Sequence, residues 1–350
     1  MIPALWPWRG RLIQALATCL QGRTSSGTLW APMMNPATRG RPEVTLVLIA
    51  YNERAHAPTC VRAVLDQDTE ARFDVVFVDD GSTDGTAEAV TDAAAGDARF
   101  VLVRLPRNQG RGAARAAGVA AARGRAIGFV DADITLPPDW LARCLAALPG
   151  HAAVGGIAVP DGDATVVARI SGARPREVAG SMPVTGNNVL FDAAALARTG
   201  FDPRDRLGED FRLAHRLVRE GHELRRVPGL VVRHEESKSY ARALRWRFDN
   251  GIDAATHPRE FRVVRLADLV WIGWCGAWIV GSAGAVVASR RSIALGPAAT
   301  VAAGVMHAAS RFHPRPIGPF VVACLADVPL TTAYLVGRTV GLPRLIRGRR

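Results

Sequence analysis

Two aspartates separated by one residue are the clearest sign of chemistry in this chain. Asp131 and Asp133 follow the apolar run at residues 126–130 and precede the turn sequence Leu136-Pro137-Pro138. On a turn, both carboxylates can reach one hard divalent cation, which in turn can bind a diphosphate. Aspartates at strand ends also form turns and cap helices, so the pair by itself leaves both interpretations open.

A second acidic pair, Glu209 and Asp210, follows Gly208 and precedes residues 213–217, whose apolar spacing predicts an amphipathic helix. A carboxylate at the start of this helix could be a general base that takes a proton from a hydroxyl group. Acidic residues are also common at helix N-termini, because they complement the helix dipole.

Apolar segments alternate with helical segments around these residues and must position them. Strands are predicted at residues 44–50, 73–78, 100–105 and 126–130, with helical segments between them. This alternation predicts a mainly parallel sheet with right-handed crossovers. Ligands of such sheets bind at the carboxyl ends of the strands, which is where Tyr51, Asp80 and Asp133 fall.

Other side chains near these strand ends suit a nucleotide ligand. Tyr51 can stack on a nucleobase, and Asp80 can accept hydrogen bonds from a base or a ribose. Arg111 lies in a glycine-rich loop from which it could reach a diphosphate. The alternatives are a rim aromatic for Tyr51, a turn-forming aspartate for Asp80 and a solvated loop residue for Arg111.

The order of the polar motifs resembles the family-2 inverting glycosyltransferases of the GT-A fold over residues 43–258. The motifs are Ala50-Tyr51-Asn52-Glu53, Asp79-Asp80-Gly81-Ser82-Thr83-Asp84, Asn108-x-Gly110, Asp131-Ala132-Asp133, Gly186-Asn187-Asn188 and Gly208-Glu209-Asp210. The resemblance implies the α/β fold class, with a Rossmann-like, mainly parallel sheet of the nucleotide-diphospho-sugar transferase type. One position departs from the family: the aspartate usual two residues after the second acidic pair is Arg212, which concerns the acceptor site.

The resemblance also implies roles for single residues. It implies a nucleotide-sugar donor bound by Tyr51, Glu53, Asp80, Arg111 and Asp131, an Mg²⁺ or Mn²⁺ cofactor coordinated by Asp133 and His234, and Asp210 as the catalytic base. An inverting transfer is a single displacement, so the base is expected across the sugar from the metal-bound diphosphate. For His234, a surface histidine that binds nothing is an equally good interpretation.

The segment Arg242-Ala243-Leu244-Arg245-Trp246 resembles the Gln-x-x-Arg-Trp signature of processive polysaccharide synthases, with Arg in place of Gln. Because the Gln is missing and the membrane region is small, we favour an enzyme of single addition over a processive synthase. Glu209, Arg245 and Trp246 are expected near the acceptor or the diphosphate. Alternatively, Arg245 and Trp246 belong to an amphipathic helix on the membrane surface.

The net charge of +12 arises outside the predicted catalytic region. Residues 43–258 hold 27 basic and 29 acidic residues, whereas residues 1–42 hold five arginines and no acidic residue. This distribution argues against a nucleic-acid partner and indicates basic flanks of a membrane region. We therefore predict a basic leader at 1–42, disordered or an interfacial helix, and a GT-A glycosyltransferase domain at 43–258. A membrane region follows at 259–350 and ends in an Arg-rich tail, residues 338–350.

Three segments of the C-terminal region bear on membrane insertion. Residues 269–289 are uncharged, with tryptophans near one end and Arg290-Arg291 after the other, which predicts a transmembrane helix. Residues 316–337 are apolar except for Asp327, which we expect to face a helix partner or a polar cavity. Residues 292–310 suit an interfacial helix as well as a span. We therefore expect two transmembrane helices, or three if this segment also crosses the membrane.

These observations favour an integral enzyme of the cell (inner) membrane with a cytoplasmic catalytic domain. It would transfer a sugar from a UDP- or GDP-sugar to a membrane-associated, lipid-linked acceptor. The rival is a membrane scaffold that retains the fold without turnover, which Arg212 favours. A dehydrogenase is disfavoured, because Arg115 stands where the dinucleotide fingerprint needs its third glycine. Five scattered cysteines predict neither a disulfide framework nor a zinc site.

Overall fold

The structure, a computed structural model, describes residues 41–160, 186–234, 239–256, 266–287, 294–311 and 316–347, together with residues 167 and 170. Nearly all of the predicted leader, residues 1–42, lies outside the described residues. The chain divides into two compact units, Met1–Ala158 with Gly180–Arg233 and Val159–Ala179 with His234–Arg350, which we call the sheet unit and the helical unit. This division groups residues 234–258 with the C-terminal helices, whereas the sequence analysis placed them in the glycosyltransferase domain.

The described residues form an eight-stranded sheet. Its strands are β1 (Val44–Ala50), β2 (Phe73–Asp79), β3 (Phe100–Arg104), β4 (Ala126–Asp131), β5 (Ile134–Thr135), β6 (Ala153–Pro160), β7 (Asn188–Asp192) and β8 (Leu224–His234), in the order β3-β2-β1-β4-β7-β6-β8-β5. Strands β1 to β4 pair in parallel, while β7 pairs antiparallel with β4 and β6. The predicted mainly parallel sheet is confirmed, and β7 makes it mixed.

Helices cover both faces of the sheet. Those of the sheet unit are α1 (Ala57–Leu65), α2 (Thr86–Ala94), α3 (Arg111–Ala121), α4 (Trp140–Ala147), α5 (Ala193–Thr199) and α6 (Glu209–Arg219). Leu46 of β1 belongs to the same core cluster as Val61 of α1. Val47, the next residue of β1, belongs to a second cluster with Ala117 of α3. Because neighbouring side chains of a strand point to opposite faces, β1 is buried on both sides, as its sequence predicts, in which every residue but Thr45 is apolar.

Parallel pairing brings the ends of three strands to one edge of the sheet. Ala50 at the end of β1 pairs with Asp79 at the end of β2, and Ile49 pairs with Asp131 at the end of β4. The carboxyl ends of β1, β2 and β4 are therefore adjacent. Every motif that follows one of these strands begins at this edge.

The helical unit consists mainly of four described helices, α7 (Tyr240–Ala254), α8 (Leu266–Val287), α9 (Leu295–Arg311) and α10 (Ile317–Arg347). Glycines let the backbones of α7 and α10 touch. A Cβ atom on Gly251 would lie 2.1 Å from the carbonyl oxygen of Tyr334, and one on Gly337 would lie 2.1 Å from that of Phe248. Helix α10 continues beyond the predicted apolar segment, so Arg338, expected in the Arg-rich tail, is a buried helical residue.

Charged side chains inside this unit have partners on other helices, as we expected for Asp327. Its Oδ2 atom lies 2.6 Å from Nδ1 of His307 in α9, and the Thr331 hydroxyl donates to the same carboxylate at 2.9 Å. Arg338 of α10 donates to Asp268 of α8. Burying these charges together lowers the cost of placing them among apolar helices.

Among the described residues, one helix is long and apolar enough to cross a bilayer, Ile317–Pro343 within α10. Helix α8, where the first transmembrane segment was predicted, contains a shorter apolar stretch, Asp268–Val280. The number of spans stays a prediction.

Candidate active site

The loops after β1 and β2 are bonded to each other at the sheet edge. The amide of Asn52 donates to Oγ of Ser82 at 2.8 Å, and the amide of Thr83 donates to Oδ1 of Asn52 at 2.9 Å. Gly81 lies against a third loop, since a Cβ atom there would be 2.5 Å from the carbonyl carbon of Arg107. Glycine is required at this contact because its φ is +73° and no side chain fits. The three loops therefore form one polar platform.

Asp80 anchors the glycine-rich loop of this platform. Its two carboxylate oxygens accept the amides of Gln109 and Gly110, each at 2.8 Å. Burial raises the pKa of Asp80, although the two amides and Arg206 oppose the rise. Each oxygen keeps a further lone pair, so a contact with a base or ribose stays a prediction. The contact that the structure gives Asp80 is structural, and it fixes the loop that leads to Arg111.

Two other predicted nucleotide-binding residues follow β1. The Tyr51 side chain is 44% exposed, so its ring is open to a stacking partner. The Glu53 amide donates to Oγ1 of Thr86 at 3.0 Å, which ties this turn to the start of α2. Their roles in binding a donor stay predictions.

The Asp131 and Asp133 pair closes β4 and precedes β5. The Asp131 amide donates to the carbonyl of Asn187 at 3.2 Å, so β4 is bonded to the loop before β7 beyond their paired residues. Beneath the pair, the thiol of Cys60 lies 3.5 Å from the carbonyl oxygen of Asp131. Burial, followed by the charges of Asp133 and Asp131, raises the pKa of this thiol. The thiol thus stays neutral and packs as a small apolar group.

Arg111, the first residue of α3, lies among four acidic side chains. Enclosure acts to lower its pKa, but Asp131, Asp210, Asp133 and Glu53 outweigh that effect and raise it. Part of the Arg111 side chain is nevertheless exposed to solvent. The residues predicted for the donor, the metal and the base therefore lie within electrostatic reach of one cation.

Arg115, one turn further along α3, is the residue that the sequence analysis missed. Its guanidinium is buried and donates to Oδ1 of Asp131 at 2.8 Å, to the carbonyl of Gly186 at 2.9 Å and to Oε1 of Glu209. Its spacing of four residues from Arg111 on an Ala-rich helix was the available signal, because such residues share a helix face. The sequence analysis used Arg115 only to reject a dinucleotide fingerprint.

Glu209 is consequently an interior residue. It is 1% exposed and forms an ion pair with Arg115, so its carboxylate does not face solvent. The ion pair with Arg115 lowers the cost of burying this charge. The predicted contact of Glu209 with an acceptor or a diphosphate stays a prediction.

Asp210 is held at the start of α6 by backbone amides. Its two oxygens accept the amide of Gly186 at 3.0 Å and the amide of Phe211 at 2.7 Å. Burial acts to raise the pKa of Asp210, but Arg115, these two amides and Arg111 together hold it below its ordinary value. Asp210 is therefore ionised at neutral pH and able to accept a proton.

The acidic residues suit a divalent cation whose coordination shell is completed by a substrate. Among the described residues, no group of three His, Cys, Asp or Glu side chains is placed to hold a metal ion. Mg²⁺ and Mn²⁺ commonly bind one or two carboxylates together with phosphate oxygens and water, so a three-residue cluster is not required. Because one Asp131 oxygen is engaged by Arg115, the donor set fits a cation held chiefly by Asp133.

The remaining predicted residues lie elsewhere in the chain. Arg212 is buried and donates to the carbonyl of Leu207 at 2.7 Å, so it stabilises the turn into α6. His234 ends β8 and is grouped with the helical unit. Arg245 lies on α7 of that unit with Trp246, and it pairs with Asp249 at 3.1 Å. The roles predicted for His234, Arg245 and Trp246 stay predictions.

Relatives of this chain are known. The succinoglycan biosynthesis protein ExoO of Rhizobium meliloti is 46% identical over 116 residues, which are 32% of each chain. The undecaprenyl-phosphate 4-deoxy-4-formamido-L-arabinose transferase of Aeromonas hydrophila is 39% identical over 117 residues, 32% of this chain and 36% of that protein. The similarity thus spans about a third of the length of these curated relatives.

A solved structure, the mannosyltransferase PcManGT from Pyrobaculum calidifontis in complex with GDP-Man and Mn²⁺, superposes with a TM-score of 0.58. It is 20% identical and the match covers 98% of this chain and 96% of that one, which shows a shared GT-A fold. The family "Glycosyl transferase family 2" matches residues 45–194, and "Glycosyl transferase family group 2" matches residues 126–309, more than half of the chain. The chain therefore belongs to the family-2 glycosyltransferases.

Proposed function

We propose that the protein is an inverting glycosyltransferase of the hexosyltransferase class that uses a UDP- or GDP-sugar donor. The observation that carries the proposal is the convergence of both acidic pairs, because Arg115 donates to Asp131 and to Glu209 and the charges of Glu53, Asp131, Asp133 and Asp210 all act on Arg111. A cation among four carboxylates can meet the diphosphate of a donor, while one of the carboxylates remains available as a base.

In the proposed reaction, Asp210 accepts the proton of the acceptor O–H group as the acceptor oxygen bonds to the anomeric carbon. The bond from that carbon to the diphosphate breaks, and the nucleoside diphosphate leaves with the electron pair. Arg111 donates hydrogen bonds to the departing diphosphate, and Tyr51 stacks on the base. Because the displacement is single, the product has the inverted anomeric configuration.

We propose that Asp133 holds an Mg²⁺ or Mn²⁺ cofactor, with His234 as a further ligand on the strength of the family resemblance. When bound, such a cation neutralises charge on the leaving diphosphate. The solved relative PcManGT holds GDP-Man together with Mn²⁺, which supports the choice of ion.

We propose a lipid-linked acceptor and an integral membrane location. A similar protein is named for transfer to undecaprenyl phosphate, and helix α10 contains an apolar stretch long enough to span a bilayer. Large apolar side chains are exposed along the C-terminal helices, among them Ile279, Ile317 and Leu325. Exposed apolar surface of this kind suits contact with lipid. Arg245 and Trp246 are proposed to contact the acceptor or the diphosphate, and the inner membrane with a cytoplasmic active site is the proposed location.

The proposal is tested with the full-length protein in detergent micelles or native membranes. Radiolabelled UDP- and GDP-sugars are incubated with Mn²⁺ or Mg²⁺ and with two kinds of acceptor, a polyprenyl-linked sugar, which presents the O–H group of the proposed reaction, and polyprenyl phosphate, and the lipid fraction is counted. We expect cation-dependent transfer from one donor and, by NMR of the product, an inverted anomeric centre. A retained configuration refutes the single displacement, and the absence of transfer across the whole panel favours the scaffold.

A further inference from the structure

We propose that Arg115 is a positioning residue of the transfer reaction, joining the donor side of the site to the element that carries the base. The inference rests on the proposed function, because it gives Arg115 a task only if Asp133 and Asp210 act as described. Arg115 itself is enclosed, with 1% of its surface exposed. It acts through the groups that it holds.

The guanidinium of Arg115 on α3 contacts three other segments of the chain. Arg115 lies on α3, Asp131 ends β4, Gly186 precedes β7, and Glu209 is the first residue of α6. Donation to Asp131 and Gly186 occurs at 2.8 and 2.9 Å, and the third contact is the ion pair with Glu209. Helix α3 packs on the core of the sheet. These contacts therefore hold both acidic pairs in place against one rigid helix.

Apolar surroundings make these contacts of Arg115 costly to break. The Arg115 guanidinium carbon lies 6.0 Å from the ring centre of Phe129 and 5.8 Å from that of Phe201, so apolar groups flank the charges. In such surroundings a carboxylate without its cation is costly. A lysine at position 115 would retain the charge, but its single ammonium group lacks the planar fork that addresses several oxygens at once.

Each contact has a consequence for a neighbouring residue. Because one oxygen of Asp131 accepts from Arg115, the end of β4 that carries the first acidic pair is held against α3. Because Glu209 is fixed, the backbone of Asp210 is fixed with it. Gly186 links the two sides, since it accepts from Arg115 and donates to Asp210. Loosening Arg115 should therefore disturb donor binding and proton transfer together.

The test is Arg115→Lys in the full-length protein, with Arg123→Lys as the matched control. Arg123 also donates to an aspartate at 2.8 Å, Asp74, but that pair lies at the opposite end of the strands. Thermal unfolding measures folding, calorimetric titration with UDP·Mn²⁺ and GDP·Mn²⁺ measures nucleotide binding, and the transfer assay gives kcat and KM. Arg115→Lys should weaken nucleotide binding by about tenfold and lower kcat by about 100-fold. Arg123→Lys should change neither.

If Arg115→Lys does not fold, the same measurements are made on Arg115→Met combined with Glu209→Gln, which removes opposite charges together. Unchanged nucleotide binding and kcat in a folded variant overturn the inference. So does a loss of kcat that only follows the unfolded fraction, because that loss is purely structural. The binding readout stands even if wild type transfers no sugar, so failure of the proposed function is distinguishable from failure of this inference.

Discussion

The contact of Gly186 with both Arg115 and Asp210 yields a prediction whose size follows from distances. A Cβ atom at position 186 would lie 2.7 Å from Cζ and Nη1 of Arg115 and 2.7 Å from Cβ of Asp210. Real Cβ contacts essentially never fall below 3.0 Å, so Gly186→Ala must displace one side chain or both. The displaced groups are Asp210, which is the proposed base, and Arg115, whose guanidinium holds the start of α6 in place.

Two magnitudes follow for Gly186→Ala. Overpacking of a filled interior costs about 1–3 kcal/mol of stability. A displacement of about 1 Å in a catalytic group costs about 100-fold in rate, equivalent to about 2.7 kcal/mol of activation free energy. We therefore expect a cooperative but lowered unfolding transition and a kcat reduced by about 100-fold. Donor KM should change less than kcat, since the base of the proposed reaction acts on the acceptor hydroxyl and not on the nucleotide.

The assay compares Gly186→Ala with Gly150→Ala. Gly150 has a φ of +83° with nothing within 4 Å of its would-be Cβ atom, so alanine there brings backbone strain of about 1–2 kcal/mol without touching the site. Gly150→Ala should lose comparable stability and keep its kcat. Wild-type kcat in folded Gly186→Ala refutes the reasoning, and so does an equal loss of kcat in the control.

Three further predictions follow from the same contacts. Because the pKa of Asp210 lies below its ordinary value of about 3.9, kcat/KM should stay level from about pH 7 to about pH 5 and be lost only as pH falls through the lowered pKa; an acid limb centred near pH 6 contradicts this assignment. Asp133→Ala should weaken GDP·Mn²⁺ or UDP·Mn²⁺ binding, measured by calorimetry, at least about tenfold more than Asp131→Asn does, and equal losses contradict Asp133 as the direct ligand. Arg338→Met should lower stability by about 3–5 kcal/mol, because it leaves Asp268 without its Arg338 partner among apolar helices; unchanged thermal unfolding in detergent contradicts that account.

Much of the fold was predictable because local pattern and global structure agree. Strand β1 spans Val44–Ala50 as predicted, since a run that is apolar except for Thr45 suits a strand buried on both faces. The acidic motifs were equally accessible, because parallel strands deliver their carboxyl ends to one edge. Asp133 could therefore be named from its place after β4, whereas Asp210 was named from the family resemblance.

What the sequence concealed depends on contacts between distant segments. Arg115 lies in an Ala-rich helix, and nothing local reveals that Asp131 and Glu209 converge on it. Arg338 follows an apolar run, so its charge suggested the start of a tail. In the structure Arg338 continues α10, and its charge is paired with Asp268 of α8. In both cases the deciding interaction spans at least 16 residues, beyond the reach of any periodicity.

The most direct test of the central claim is the turnover of Asp210→Asn, measured together with its nucleotide binding. This change keeps the shape of the side chain but removes its ability to take a proton. The account predicts that transfer falls by at least about 100-fold, while UDP·Mn²⁺ or GDP·Mn²⁺ binds as tightly as to wild type. Transfer by Asp210→Asn at the wild-type rate would contradict the assignment of Asp210 as the base.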